Sequence, residues 1–198
     1  YSIGEAVRIS GPLSVLVANA GVAFAQHFDC TPPEAFETAM RINYFGALHC
    51  VRASLPSLEE TARAQKSHIV LVSSGAALIG IWGYSAYAPS KFALRGLGEV
   101  LRAELKPRGV EVCVIYPPDT DTPQLHEENK TKPPQTRAIA GAAKTWSAED
   151  VAREILRGVE RGKFRIAPGL ELSLLARFHS LAEPLLHRYF DALARRAG

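Results

Sequence analysis

The stretch VLVSSGAALIGIWGYSAYAPSKFAL, Val70 to Leu94, decides how this chain is read. Ile69-Val70-Leu71-Val72 has the length and composition of a buried strand, and Ser73-Ser74-Gly75 stands where it ends. Residues from Ser85 to about Lys106 read as a helix, with Pro89 admitted because it falls in the first turn. On that helix Tyr87 and Lys91, four residues apart, share one face. Ser74 precedes Tyr87 by thirteen residues. An ammonium held beside a phenol favours the phenolate and lowers a pKa of about 10. A tyrosine poised that way exchanges a proton with a carbonyl or alcohol oxygen near neutral pH. By itself Tyr-x-x-x-Lys more often marks a core aromatic beside a solvated helix lysine. The hydroxyl at the strand end, a second donor for the same oxygen, tips the reading towards chemistry.

Ser74, Tyr87 and Lys91 at these separations resemble the active-site segment of the short-chain dehydrogenase/reductases. The resemblance implies a nicotinamide cofactor and three catalytic roles. Tyr87 exchanges the proton, Ser74 hydrogen-bonds the substrate oxygen, and Lys91 holds the cofactor ribose while lowering the phenol pKa.

Three further segments take on meaning beside it. Leu13 to Ala18 reads as a short strand followed by Asn19-Ala20-Gly21, which alone is a turn; the resemblance makes Asn19, Ala20 and Gly21 part of the cofactor cleft. Thr31-Pro32-Pro33-Glu34 reads as a capped helix start, with Phe36, Met40, Ile42 and Phe45 turned to the core. Within that helix Asn43 reads as a structural hydrogen bond or a distortion, and the resemblance implies a fourth catalytic residue anchoring a water relay. Val110 to Tyr116 reads as another buried strand. After it the resemblance places Pro117, Thr120 and Thr122 at the nicotinamide end of the cofactor.

Strand, helix, strand, helix, strand in this order predicts a doubly wound parallel α/β sheet of Rossmann type with helices on both faces. Ligands in such folds lie beyond the C-terminal strand ends, where Asn19, Ser74 and Pro117 fall. The expected organisation is one domain over residues 1–198, opening on the end of a helix at Tyr1 to Val7. A polar, mobile lid loop over the site spans about 119–145, a capped helix starts at Ser147, a final strand covers Lys163 to Pro168, and an amphipathic tail fills 170–198. In that tail Leu174, Leu175, Phe178, Leu181, Leu185, Tyr189 and Leu193 recur at helical spacing, interrupted by Pro184.

With 198 residues, 47% hydrophobic and 22% charged, the chain is of ordinary globular composition, and its net charge of +3 is too weak to suggest nucleic acid. The positive excess sits at the end: residues 161–198 carry seven Lys/Arg against three acids. Cys30, Cys50 and Cys113 have no metal spacing and read as reduced, mostly buried thiols of a cytoplasmic protein. Asp119, Asp121, His126, Glu127 and Glu128 crowd one segment, but nothing there orders a loop round an ion, and no metal is expected. No apolar run approaches the roughly 20 residues that span a bilayer.

The run Tyr116-Pro117-Pro118-Asp119-Thr120-Asp121-Thr122-Pro123, with Glu128 to Pro133, looks like the 3-ketodihydrosphingosine reductases within the larger family. That likeness implies NADPH and a long-chain lipid ketone substrate, and a homodimer or homotetramer built on the helices at 31–60 and 85–106. Other bulky carbonyls (retinoid, steroid or acyl ketone) are the competing substrates. The family's glycine-rich turn and first three strands are missing from these residues, so the chain resembles the C-terminal two-thirds of such an enzyme. A chain truly starting at Tyr1 is instead expected to be a non-catalytic binding protein. The basic, amphipathic tail suggests peripheral contact with a membrane surface.

Overall fold

The computed structural model describes residues 2–140 and 144–197. Helix α1 (Ile3–Ser10) starts at Ser2, whose hydroxyl accepts from the Glu5 amide. It leads into strand β1 (Val15–Ala18). Helix α2 (Pro33–Ala39) follows, then a π-helical stretch Met40–Gly46 and helix α3 (Ala47–Ala62). Strand β2 (Ser67–Val72), helix α4 (Tyr87–Leu105) and strand β3 (Val110–Ile115) come next.

The main sheet runs β1-β2-β3-β6, every pair parallel, with β6 confined to Arg165–Ile166. In register, Ala18 lies opposite Leu71 and Val72 opposite Ile115, so the three long strands end nearly level. Alternation divides the core between two faces. Ile69, Leu71 and Val112 pack with Val51 and Leu58 of α3 and Leu94 of α4, whereas Val70, Cys113 and Ile115 face Ile155 and Val159 of α7 (Ala148–Glu160). Gly98 lets α4 sit close on the sheet, since a Cβ there would stand 2.4 Å from a Val114 methyl. The Rossmann-type reading of the sequence holds.

Several local expectations do not. Thr31 caps no helix. Its hydroxyl donates to the His27 carbonyl, and α2 begins after Pro32 without a side-chain cap. Along α2 and α3 the alanines Ala35, Ala39 and Ala47 face inward, Phe36, Met40 and Ile42 are half-buried, and Phe45 is exposed. Small side chains bring these helices close, which leaves the large ones no room beneath. Of the cysteines, only Cys113 is buried.

Within the expected lid, residues 120–140 hold regular elements. Thr120–Asp121 (β4) pairs in parallel with Trp146–Ser147 (β5), and helices α5 (Pro123–Thr131) and α6 (Pro134–Ala140) lie between. Residues 141–143 of the expected lid, and Tyr1 of the expected first helix, lie outside the described residues. Ser147 caps α7 as its sequence suggests, accepting from the Asp150 amide.

Pro184 interrupts nothing. Helix α8 runs unbroken from Leu170 to Ala197. The carbonyl that Pro184 deprives of a donor belongs to Ser180, and both residues face solvent, so water can take the place of the amide. Leu172, Leu175 and Ala176 of α8 turn inward, while Leu174, Phe178, Leu181, Leu185 and Tyr189 are exposed.

Candidate active site

Beyond the level ends of β1, β2 and β3 lies a cavity of about 720 Å³. Ser74, Tyr87 and Lys91 line it together with Asn19, Gly21, Pro117, Thr120 and Thr122. Ala20 and Asn43 do not.

The backbone explains the convergence. As β2 ends, Ser73 and Ser74 separate in duty. Ser73, buried, donates its hydroxyl to the Lys91 carbonyl (3.0 Å) and so fixes α4 against the strand end. Ser74 Oγ accepts from the Ala76 amide (3.1 Å) at the head of a 3₁₀ turn and points into the cavity. One turn into α4, the Lys91 ammonium reaches back to the Val72 carbonyl at 2.9 Å and stands 5.7 Å from the centre of the Tyr87 ring.

Lys91 is only 4% exposed, and burial lowers its pKa from 10.5 to about 8. Burial also pushes the Tyr87 phenol up to about 12. The Ser74 hydroxyl pulls it down, and the carboxylates of Glu128 and Asp119 push it up. The sequence predicts a phenol lowered by its lysine. In this chain desolvation raises it instead, and the Lys91 ammonium gives its hydrogen bond to the Val72 carbonyl. Tyr87 is therefore a protonated donor at neutral pH, which suits giving a proton to a ketone oxygen.

Asn43 lies beneath the cavity, 1% exposed. Its amide oxygen accepts from the Val22 N–H (2.8 Å), and its NH₂ donates to the Val22 carbonyl (2.9 Å) and to Ser90 Oγ (2.8 Å). Both donors are used, leaving one lone pair free for a further partner. The π-helical turn aims this side chain inward, the distortion that an asparagine inside a helix suggests. It ties the loop after β1 to α4. Gly21 fits over it because a Cβ there would come within 3.1 Å of Asn43 Oδ1 and 3.3 Å of Lys91 Nζ.

Pro117 follows β3, and its carbonyl accepts from the Gly75 amide. Thr120 donates to the Pro118 carbonyl (2.8 Å), and Thr122 caps α5 by accepting from the Leu125 amide.

The sequence does not disclose a second polar group beside Tyr87. Tyr84 stacks obliquely on Tyr87, with ring centres 5.4 Å apart, and donates its hydroxyl to Glu128 Oε1. The same oxygen meets Lys132 Nζ at 2.8 Å, and Asp119 stands 3.7 Å from that ammonium. The i,i+4 spacing of Glu128 and Lys132 is visible in sequence, but its burial is not. Asp121 instead pairs with His126 and Glu127 with Lys130 on the surface, and among the described residues no cluster is arranged to hold a metal. Leu172, Leu175 and Phe190 of α8 close the cavity with an apolar wall, so part of the tail belongs to the site.

A family model described as short chain dehydrogenase matches residues 2–133. The chain belongs to the short-chain dehydrogenase family. Within that family it is 43% identical over 183 residues to a 3-ketodihydrosphingosine reductase of Dictyostelium discoideum, covering 92% of this chain and 54% of the relative. Against the 3-ketodihydrosphingosine reductase of Mus musculus it is 41% identical over 174 residues, 88% of this chain and 52% of that one. The chain thus spans about half the length of the curated relatives it matches. Among solved structures, a short chain dehydrogenase from Burkholderia cenocepacia in complex with NADP superposes with a TM-score of 0.77 at 24% identity, covering 94% of this chain and 74% of that chain. One from Mycobacterium paratuberculosis bound to NAD gives 0.71 at 27%, covering 83% and 66%. The fold of this short-chain dehydrogenase chain is that of its family.

Proposed function

We propose that the protein carrying this chain reduces the ketone of 3-ketodihydrosphingosine, or a similar long-chain lipid ketone, to the alcohol with NADPH. One observation carries the reading: Ser74, Tyr87 and Lys91 meet in a single cavity that Leu172, Leu175 and Phe190 of α8 also line. Names of the relatives support the same substrate class.

The residues fit a nicotinamide cofactor. Asn19, Gly21, Lys91, Pro117, Thr120 and Thr122 line the side of the cavity at the strand ends, and the absence of a Cβ at Gly21 keeps the Lys91 ammonium uncrowded there. Asn19 and Ala20, both exposed where β1 ends, stand on the adenine side in this reading. When bound, the cofactor supplies the hydride. Tyr87 gives its phenolic proton to the ketone oxygen, and Ser74 donates a hydrogen bond to the same oxygen. Lys91 holds the ribose and steadies the phenolate left behind. Asn43 keeps Gly21 and α4 in place around that lysine, its remaining lone pair serving a water relay.

The test is NADPH consumption by the full-length enzyme against a ketone panel: a long-chain 3-keto amino alcohol, a retinoid, a steroid ketone and an acyl ketone. Fastest turnover of the first is the expected result. Preference for another ketone would reassign the substrate, and no turnover of any would favour a binding protein.

Assembly and placement extend the proposal. A homodimer or homotetramer through residues 31–60 and 85–106 is supported by Phe45, Phe92 and Val100, all exposed on those helices. A cytoplasmic enzyme resting on a membrane surface through 170–198 is supported by the exposed stripe of α8 and its flanking arginines. No helix of the described residues is long and apolar enough to cross a membrane.

A further inference from the structure

Glu128 is an unusual residue to find in a cavity with so apolar a wall. Its side chain is only 8% exposed; Tyr84 donates to Oε1, which is also the oxygen nearest the Lys132 ammonium. Oε2 has no partner among the described residues, and Glu128 lines the same cavity as Tyr87. Lys132, 3% exposed, is shared between Glu128 and Asp119, so two carboxylates meet one ammonium. Lys91, the lysine that lines the cavity, is engaged by the Val72 carbonyl. Oε2 is therefore open to the cavity, where a carboxylate oxygen without a protein donor favours a cationic ligand.

We infer that Glu128, backed by Asp119, binds the ammonium group that the substrate carries on the carbon next to its ketone. The inference rests on the function proposed above and adds how the site tells an amino ketone from a plain one. Placement is consistent with that chemistry. Tyr84 bridges the two groups, its ring against Tyr87 and its hydroxyl on Glu128, so a ketone oxygen at Tyr87 brings the adjacent carbon towards the free carboxylate oxygen. An amine beside a carbonyl resembles an α-amino group, with a pKa of about 7.7–8.0, and is largely ammonium at neutral pH. The two carboxylates also raise the Tyr87 pKa. An arriving ammonium offsets their field and makes the phenol a better acid, so the amine contributes to turnover as well as to binding.

A purely structural latch makes a different prediction. In that case Glu128 only clamps α5 against Tyr84, and its loss harms every substrate alike. Glu128→Gln separates the two, because the amide oxygen still accepts from Tyr84 and Lys132 while the negative charge is gone. In the full-length enzyme, kcat/KM is compared for a long-chain 2-amino-3-ketone and the same ketone without the amine. Wild type is expected to favour the amine at least tenfold, and Glu128→Gln to reduce that ratio by at least tenfold. Equal losses on both ketones, or no preference in wild type, would overturn the inference while leaving ketone reduction intact. An enzyme that reduces neither overturns the functional reading and this inference with it. Should Glu128→Gln fail to fold, the wild type decides: decylamine must inhibit at least tenfold more tightly than decanol, and equal inhibition sinks the assignment.

Discussion

The Lys91 ammonium is 2.9 Å from the carbonyl oxygen of Val72, the last residue of β2. That single bond holds the charge at a strand end instead of against the tyrosine one turn away. Burial leaves the pKa near 8, against 10.5 for an unfolded chain. Below about pH 8 the folded molecule must carry a buried ammonium, so Lys91 opposes folding there. The opposition fades as pH climbs from about 8 towards 10.5, where the folded state has shed a proton that the unfolded one still holds.

Lys91→Met should therefore abolish turnover yet raise stability at pH 7 by roughly 2–3 kcal/mol. Denaturant melts of both proteins at pH 7 and pH 10 check this. A variant less stable than wild type at pH 7 would mean the ammonium is held by more than Val72.

Tyr87→Phe should cost at least about a hundredfold in turnover, the scale of a lost general acid, with little change in stability. Because the phenol titrates near 12, the fall in reduction rate with rising pH should begin near 8, as Lys91 loses its charge, and not near 10. A kcat profile flat from pH 7 to 10 contradicts this assignment.

Asn43→Ala should destabilise by about 1–3 kcal/mol, since it leaves both backbone groups of Val22 unpaired beneath the cavity. Turnover should fall with it, as the loop bearing Gly21 loosens over Lys91. Hydrogen exchange at the Val22 amide is the direct measurement, and unchanged protection would place the strap elsewhere.

Helix α8 should bring the protein to anionic vesicles at low salt and release it at high salt. Arg177, Arg188, Arg195 and Arg196 contribute about 1 kcal/mol each close to the headgroups, and the stripe from Leu174 to Tyr189 adds apolar burial. Sedimentation with vesicles tests it. Replacing Leu181 and Leu185 with serine should abolish binding while sparing the cavity wall, which Leu172, Leu175 and Phe190 form. Indifference to anionic vesicles would leave the stripe to a partner subunit.

The three long strands β1, β2 and β3 were readable in advance because each is an apolar run closed by small or polar residues, and Ser74, Tyr87 and Lys91 because strand end and helical spacing are local patterns. The Tyr84–Glu128–Lys132 group was not, since it joins residues 44 apart whose burial only the folded chain creates. Pro184 misled because an interior proline kinks or stops a helix only when neither the lost hydrogen bond nor the ring's clash is accommodated, and here the Ser180 carbonyl faces solvent. Phe36 and Phe45 misled because hydrophobicity alone does not say which face a run of alanines will claim.

The π-helical stretch at 40–46 holds one residue more per hydrogen-bonded turn than the helices on either side of it. Deleting one residue there lets the chain close into ordinary α-helix with Ala47, Val51 and Leu58 still against the sheet, while Asn43 swings off Val22. The extra residue thus serves the Asn43–Val22 strap and not the α3 core. A shortened variant that loses only the stability of that strap, about 1–3 kcal/mol, and turns nothing over would show how far the two requirements come apart.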